Sequence, residues 1–218
     1  MMDSYFQLPE KQGYDQAYEL SYQLVVEEIQ KANNLDQQCK NSGAEFRIID
    51  SDKAIIIRFL NRSYIITLPD INISIVDSEE EVPLKEKLLI LHYFNTAKGT
   101  PASGKLITFR ELPEGMVYYP TFSKRTIEPI LRSFGNNPEL LLNIAEKSGG
   151  QKADYGDIGA TVQALPRVPM TFIIWRGDEE FSPQGSVGFD ANISDYLPTE
   201  DITVLCETIT WKLIRSIK

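Results

Sequence analysis

The sequence predicts a single α+β domain over residues 1–218, a mostly antiparallel sheet packed by helices. Three observations predict it. A stretch from Leu84 to Ala97 is helical and apolar nearly all round. Short runs of β-branched and aromatic residues flank it on both sides. A long amphipathic helix closes the chain.

In order along the chain, Asp15 to Asn33 reads as a helix, with Tyr18, Tyr22, Val25, Ile29 and Ala32 forming one stripe. The period then changes. Phe46–Ile49, Ala54–Leu60 and Tyr64–Leu68 read as strands, with Asn61-Arg62-Ser63 as a tight hairpin turn and Pro69 as a stop. Alternation puts Ile55, Ile57 and Phe59 on one face and Arg58 on the other. Glu79-Glu80-Glu81 before Pro83 starts the central helix, because acids and a first-turn proline suit a helix N-terminus. Its all-round apolar surface predicts burial. Gly99–Gly104 reads as a loop and Leu106–Phe109 as a strand. Pro113–Pro120 reads as turn and extended chain. Phe122–Phe134 and Asn137–Lys147 read as helices, with Pro129 near a boundary. Ala160–Leu165, Met170–Trp175 and Ser186–Phe189 read as strands. The last helix takes Thr199 as N-cap, Glu200 and Asp201 in the first turn, and Ile202, Leu205, Cys206, Ile209, Leu213 and Ile217 as its stripe. Lys212, Arg215 and Lys218 sit at its negative end.

Charge narrows the function. Lys plus Arg is 22 against 31 for Asp plus Glu, a net −9. Such a surface repels a phosphate backbone, so nucleic-acid binding is not expected. Cys39 and Cys206 make neither a disulfide framework nor a zinc or iron–sulfur pattern, and metal and cofactor are left unassigned. Met1–Glu10 has no basic and apolar signal regions. The longest apolar run, Leu88–Phe94, is far below the roughly 20 residues that cross a bilayer. A cytoplasmic protein without a membrane partner is the expectation.

Several places carry chemistry. Gly99-Thr100-Pro101-Ala102-Ser103-Gly104-Lys105-Leu106 nearly spells a phosphate loop, but the final hydroxyl is missing and the loop follows a helix and precedes a strand, the reverse of the motif's context. His92, the single histidine, is a candidate general base or metal ligand, or a core-edge histidine with satisfied hydrogen bonds. Arg110, at a strand end, is a candidate clamp for a carboxylate or phosphate, or half of an ion pair. Tyr118-Tyr119 and Lys124-Arg125 extend it into a basic and aromatic strip. Asp178, Glu179 and Glu180 follow Trp175 as an acidic cluster suited to a hard cation or to acid–base work. Asp190 would approach them if the neighbouring strands pair.

The segments Leu91-His92-Tyr93, Phe109-Arg110-Glu111-Leu112-Pro113, Tyr119-Pro120, Phe134-Gly135, Pro166-Arg167-Val168-Pro169, Gly177-Asp178-Glu179-Glu180-Phe181 and Leu197-Pro198-Thr199-Glu200-Asp201 occur together in this order. In them the chain, from about Tyr14 to its C-terminus, resembles domain of unknown function 3786, a family of anaerobic bacteria and archaea. The resemblance implies no settled activity. It implies a loose association with corrinoid or one-carbon metabolism, and this chain lacks the four-cysteine segment of some relatives.

Three functions follow as expectations. The first is a binding or accessory module for an anionic small molecule or cofactor, lined by Arg110, Tyr119, Arg125 and Trp175. The second is an enzyme using Asp178, Glu179, Glu180 or Asp190, with His92, for acid–base or metal chemistry. The third is an interaction module that assembles with itself or with a partner protein of anaerobic metabolism.

Overall fold

A computed structural model describes residues 11–49 and 52–217. The readings made on Met1–Glu10 and on Lys218 lie outside the described residues. The chain is α+β, with two antiparallel sheets and helices that include a long one at the C-terminal end.

The first sheet joins β1 (Glu45–Ile49), β2 (Asp52–Phe59), β3 (Arg62–Thr67) and β4 (Asn72–Ile75) in sequential order. Ile55, Ile57, Phe59, Tyr64, Ile66, Ile73 and Ile75 make its buried face, as alternation requires, while Arg58 is exposed. Arg58 pairs with Ser63 and Phe59 with Arg62, so the hairpin closes at Leu60 and Asn61, and Arg62 and Ser63, expected in the turn, already belong to β3. The second sheet has the order β5-β9-β8-β7-β6, from β5 (Leu106–Thr108), β6 (Gln151–Ala153), β7 (Ile158–Leu165), β8 (Val168–Trp175) and β9 (Gln184–Asp190).

The helices are α1 (Lys11–Lys31), α2 (Leu35–Ser42), α3 (Leu84–Thr96), α4 (Gly115–Phe122), α5 (Glu128–Phe134), α6 (Pro138–Lys147) and α7 (Thr199–Arg215). The central helix α3 is covered as its composition demands: Leu88, Leu89, Ile90, Leu91, Tyr93 and Phe94 are all buried. It packs on α1, α2 and α7, and one cluster of buried side chains runs through both sheets. Truncating a residue such as Leu91 to alanine there costs about 3 kcal/mol.

Two of the local readings change here, and α2, β4 and β6 were not read at all. Residues 113–120 are not extended: α4 runs through Pro120 and passes by a π-helical turn, Ser123–Ile127, into α5. Packing overrides the proline, because Phe122 stacks on Phe109 at 3.9 Å between ring centroids. The N-cap of α7 is Pro198, and the Thr199 hydroxyl donates instead to the carbonyl of Pro113 at 2.8 Å. Helix α2 was hidden by its short polar sequence; it ends at Gly43, whose φ of 71° suits glycine. Strands β4 and β6, only 4 and 3 residues long, are too short to show a period.

The first turn of α3 is tied to the first sheet and to α7 by a buried carboxylate. Glu86 Oε2 accepts from the Tyr64 hydroxyl at 3.1 Å, and Lys212 Nζ lies 2.7 Å from Oε1. Burial and the Glu86 charge beside it push the Tyr64 phenol pKa up. Glu86→Ala leaves both partners without an acceptor and should cost about 2 kcal/mol. Glu80→Ala removes only the exposed pair with Arg62 and should leave stability almost unchanged, because water screens that pair. Urea denaturation of the two variants checks the contrast.

Candidate functional site

Arg110 lies in a single 3₁₀ turn, Phe109–Glu111, that follows β5. The turn is set by Glu111, whose carboxylate accepts from Thr108 N at 2.7 Å and Thr108 Oγ1 at 3.1 Å. Those two bonds, the backbone one larger, hold the Glu111 carboxyl below its ordinary range. Arg110 is thereby aimed at α4. Its guanidinium lies 3.9 Å from the centroid of the Tyr119 ring, a cation–π contact. Beside it is a cavity of about 250 Å³ lined by Thr108, Phe109, Arg110, Tyr119, Phe122, Ile127 and Ser186. Two of the four expected binding residues therefore meet.

The other two go elsewhere. Arg125, on the π-helical turn, faces Glu207 of α7 at 3.8 Å. Trp175 ends β8 opposite Gln184, is 43% exposed, and is not among the residues lining the cavity. The strip read along the sequence is thus divided in space.

The acidic residues also separate. Asp178, Glu179 and Glu180 are exposed on the β8–β9 loop, which lines an open cavity of about 450 Å³ with Gly135 and Asn136. Asp178 Oδ1 accepts from the backbone N–H of Phe181 at 2.7 Å and of Glu180 at 2.8 Å. These bonds lower its pKa. Its job there is to shape the turn. Asp190 stands at the other end of β9, a strand of 7 residues or roughly 20 Å. The strands do pair, but the antiparallel register sets the loop beside Gln184 and Asp190 opposite Leu106. Among the described residues no three His, Cys, Asp or Glu side chains are grouped to hold a metal.

Asp190 has a different role. It accepts from Ser103 N at 3.0 Å, Ser103 Oγ at 2.8 Å, Gly104 N at 2.8 Å and Asn192 N at 3.0 Å. The donors that the phosphate-loop likeness would offer to a nucleotide already hold this carboxylate. Burial alone would raise the Asp190 pKa; the donors outweigh it and the net shift is downward.

His92 is held on both sides. Nδ1 lies 2.7 Å from Asp201 Oδ2 and Nε2 lies 3.2 Å from Ser21 Oγ. The imidazole side chain is 22% exposed and the Asp201 side chain 13%. The sequence offered His92 alone. Asp201 was read as a first-turn acid of the last helix and Ser21 was not singled out, because their approach depends on the packing of α1, α3 and α7. Neither thiol competes for a role: burial and the nearby Asp36 push Cys39 to about 11, and burial raises Cys206.

The profile of a domain of unknown function (DUF3786) matches residues 34–211 of the 218. The chain belongs to the DUF3786 family. No curated protein and no solved structure matches it. In this DUF3786 protein the Arg110 cavity and the His92–Asp201 pair both lie within the matched span, while Ser21 lies before it. Among the described residues no helix is long and apolar enough to cross a membrane.

The Asp190 bonds yield a pH prediction. A carboxylate whose folded pKa is depressed stabilises the fold above its unfolded pKa, about 3.9, and that contribution is lost as pH falls through the folded value. Asp190→Asn should therefore lower stability by about 2 kcal/mol at pH 7 and flatten the acid limb of the stability profile. Denaturation midpoints of both proteins from pH 7 to pH 2 check this.

Proposed function

We propose that this DUF3786 protein is an accessory module that binds a small organic acid or phosphate-bearing metabolite at the Arg110 cavity. One observation carries the reading: Arg110 lies on the Tyr119 ring, and among the described residues it makes no hydrogen bond or ion pair. On a chain of net charge −9, with 31 carboxylate side chains available, a cation beside a cavity and without an acid partner is a site kept for another anion. The tyrosine ring fixes the guanidinium plane and leaves its N–H fork free for two parallel bonds to a carboxylate or phosphate. The Ser186 hydroxyl stands in the same lining, and the stacked Phe109 and Phe122 rings supply an apolar wall for a short carbon skeleton.

Size selects the ligand class. About 250 Å³ admits a molecule of a few carbons and is smaller than the usual site for a drug-sized ligand, roughly 300–1,000 Å³. A corrinoid macrocycle does not fit inside it. A role in anaerobic or one-carbon metabolism then means handling a small acid of those routes, and a protein of the cytoplasm suits that role.

Thermal melts with acetate, succinate, inorganic phosphate and acetyl phosphate test the reading. A bound acid at about 100 times its dissociation constant adds about 2.7 kcal/mol and raises the midpoint. Arg110→Ala should abolish the rise. Arg110→Lys should lose most of it, because an ammonium gives neither the ring stack nor the paired bonds. No stabilisation by any of these acids, or an equal rise in Arg110→Ala, overturns the reading.

A further inference from the structure

The Ser21–His92–Asp201 array is independent of the Arg110 cavity. Ser21, His92 and Asp201 come from three helices, α1, α3 and α7, and are 71 and 109 residues apart in sequence. A carboxylate only accepts, so the short contact to Asp201 places the proton of the neutral ring on Nδ1. Nε2 then carries the lone pair and faces the Ser21 hydroxyl. This is the order of parts that activates a serine: nucleophile, base, and a group that orients the base.

The behaviour of other helical hydroxyls shows that the Ser21 contact is not the default. Ser42, Thr96 and Thr203 within helices, and Ser148 and Ser216 just past helix ends, each donate to the carbonyl four residues back. That is the usual outlet for a hydroxyl inside a helix. The Ser21 hydroxyl goes instead to the imidazole. Its surroundings leave it reachable: Ser21 is half-buried, and Leu24, one turn on, is 55% exposed.

We infer that Ser21 is a nucleophile activated by His92 and positioned by Asp201, acting on small acyl esters or thioesters. Ser21 Oγ attacks the acyl carbonyl and passes its proton to His92 Nε2. The protonated imidazole returns that proton to the departing alkoxide or thiolate, leaving the acyl group on Ser21. Water, deprotonated by the same nitrogen, then attacks the acyl-serine and releases the acid, and the proton goes back to Ser21. A phosphoryl substrate is disfavoured here, because Asp201 and the adjacent Glu200 place negative charge at the site. Leu24 offers an apolar lip to the acyl or aryl part.

The test is covalent labelling of the full chain with a fluorophosphonate, located by peptide mass spectrometry, together with turnover of p-nitrophenyl acetate. The expected adduct is on Ser21. Ser21→Ala, a benign change on a helix surface, removes both adduct and turnover. His92→Gln slows labelling about 100-fold or more. Asp201→Asn, which orients the ring by a donor in place of an acceptor, slows it while circular dichroism shows the fold intact. Absence of an adduct on Ser21, or turnover unchanged in Ser21→Ala, overturns the inference. Labelling is read with no acid added and the acid-dependent rise in melting midpoint with no ester added, so failure of one site is distinguishable from failure of the other.

Discussion

A helix that is apolar nearly all round must be covered nearly all round, and the architecture follows from covering α3. Its buried residues from Leu88 to Phe94 meet α1, α2 and α7. Because so little of the helix is left to water, each polar group buried on it needs a partner in the protein. Tyr93, fully buried, donates to Ser42 O at 2.6 Å and accepts from Arg167 N at 3.0 Å. Glu86 takes Tyr64 and Lys212. His92 takes Ser21 and Asp201. These three polar groups are the exceptions on one apolar helix: Tyr93 ties α3 to α2 and to Arg167, Glu86 ties it to β3 and α7, and His92 ties it to α1 and α7.

This explains how the two candidate sites differ in kind. The Arg110 cavity is assembled locally: β5, a 3₁₀ turn and α4 follow one another, and Arg110 meets Tyr119 only nine positions on. The His92 array is assembled globally, from helices near the beginning, the middle and the end of the chain. A local site depends on turn geometry and tolerates changes in distant packing. A global site exists only when the whole bundle is in register, so loosening the core around α3 would disperse it before unfolding the sheets.

The same division governs what could be read from the residues. Helix α3, helix α7 and the β2–β3 hairpin were legible because each carries its own period, from Leu84 to Thr96, from Thr199 to Arg215 and around Asn61. Helix α4 was not, because Pro120 signals a break locally while the stacked Phe109 and Phe122 hold the helix through it. Arg110 and Tyr119 were legible as a pair through proximity along the chain. Arg125 was misplaced because sequence spacing gives no direction: the helical rod passes through a π turn, and the residue emerges toward Glu207. Asp190 was misjudged through register, since strand pairing was expected but the antiparallel order sets it at the far end. Ser21 and Asp201 left no local mark.

The filled loop between α3 and β5 carries a last implication. The Asp190 carboxylate accepts from the backbone amides of Ser103 and Gly104, so the chain's own charge fills the place that an outside anion would need. The bolt fastens the segment after α3 to the strand end at Asp190, so this corner is made rigid by a counter-charge that never diffuses away. An ionic latch of this sort yields to acid rather than to competing metabolites.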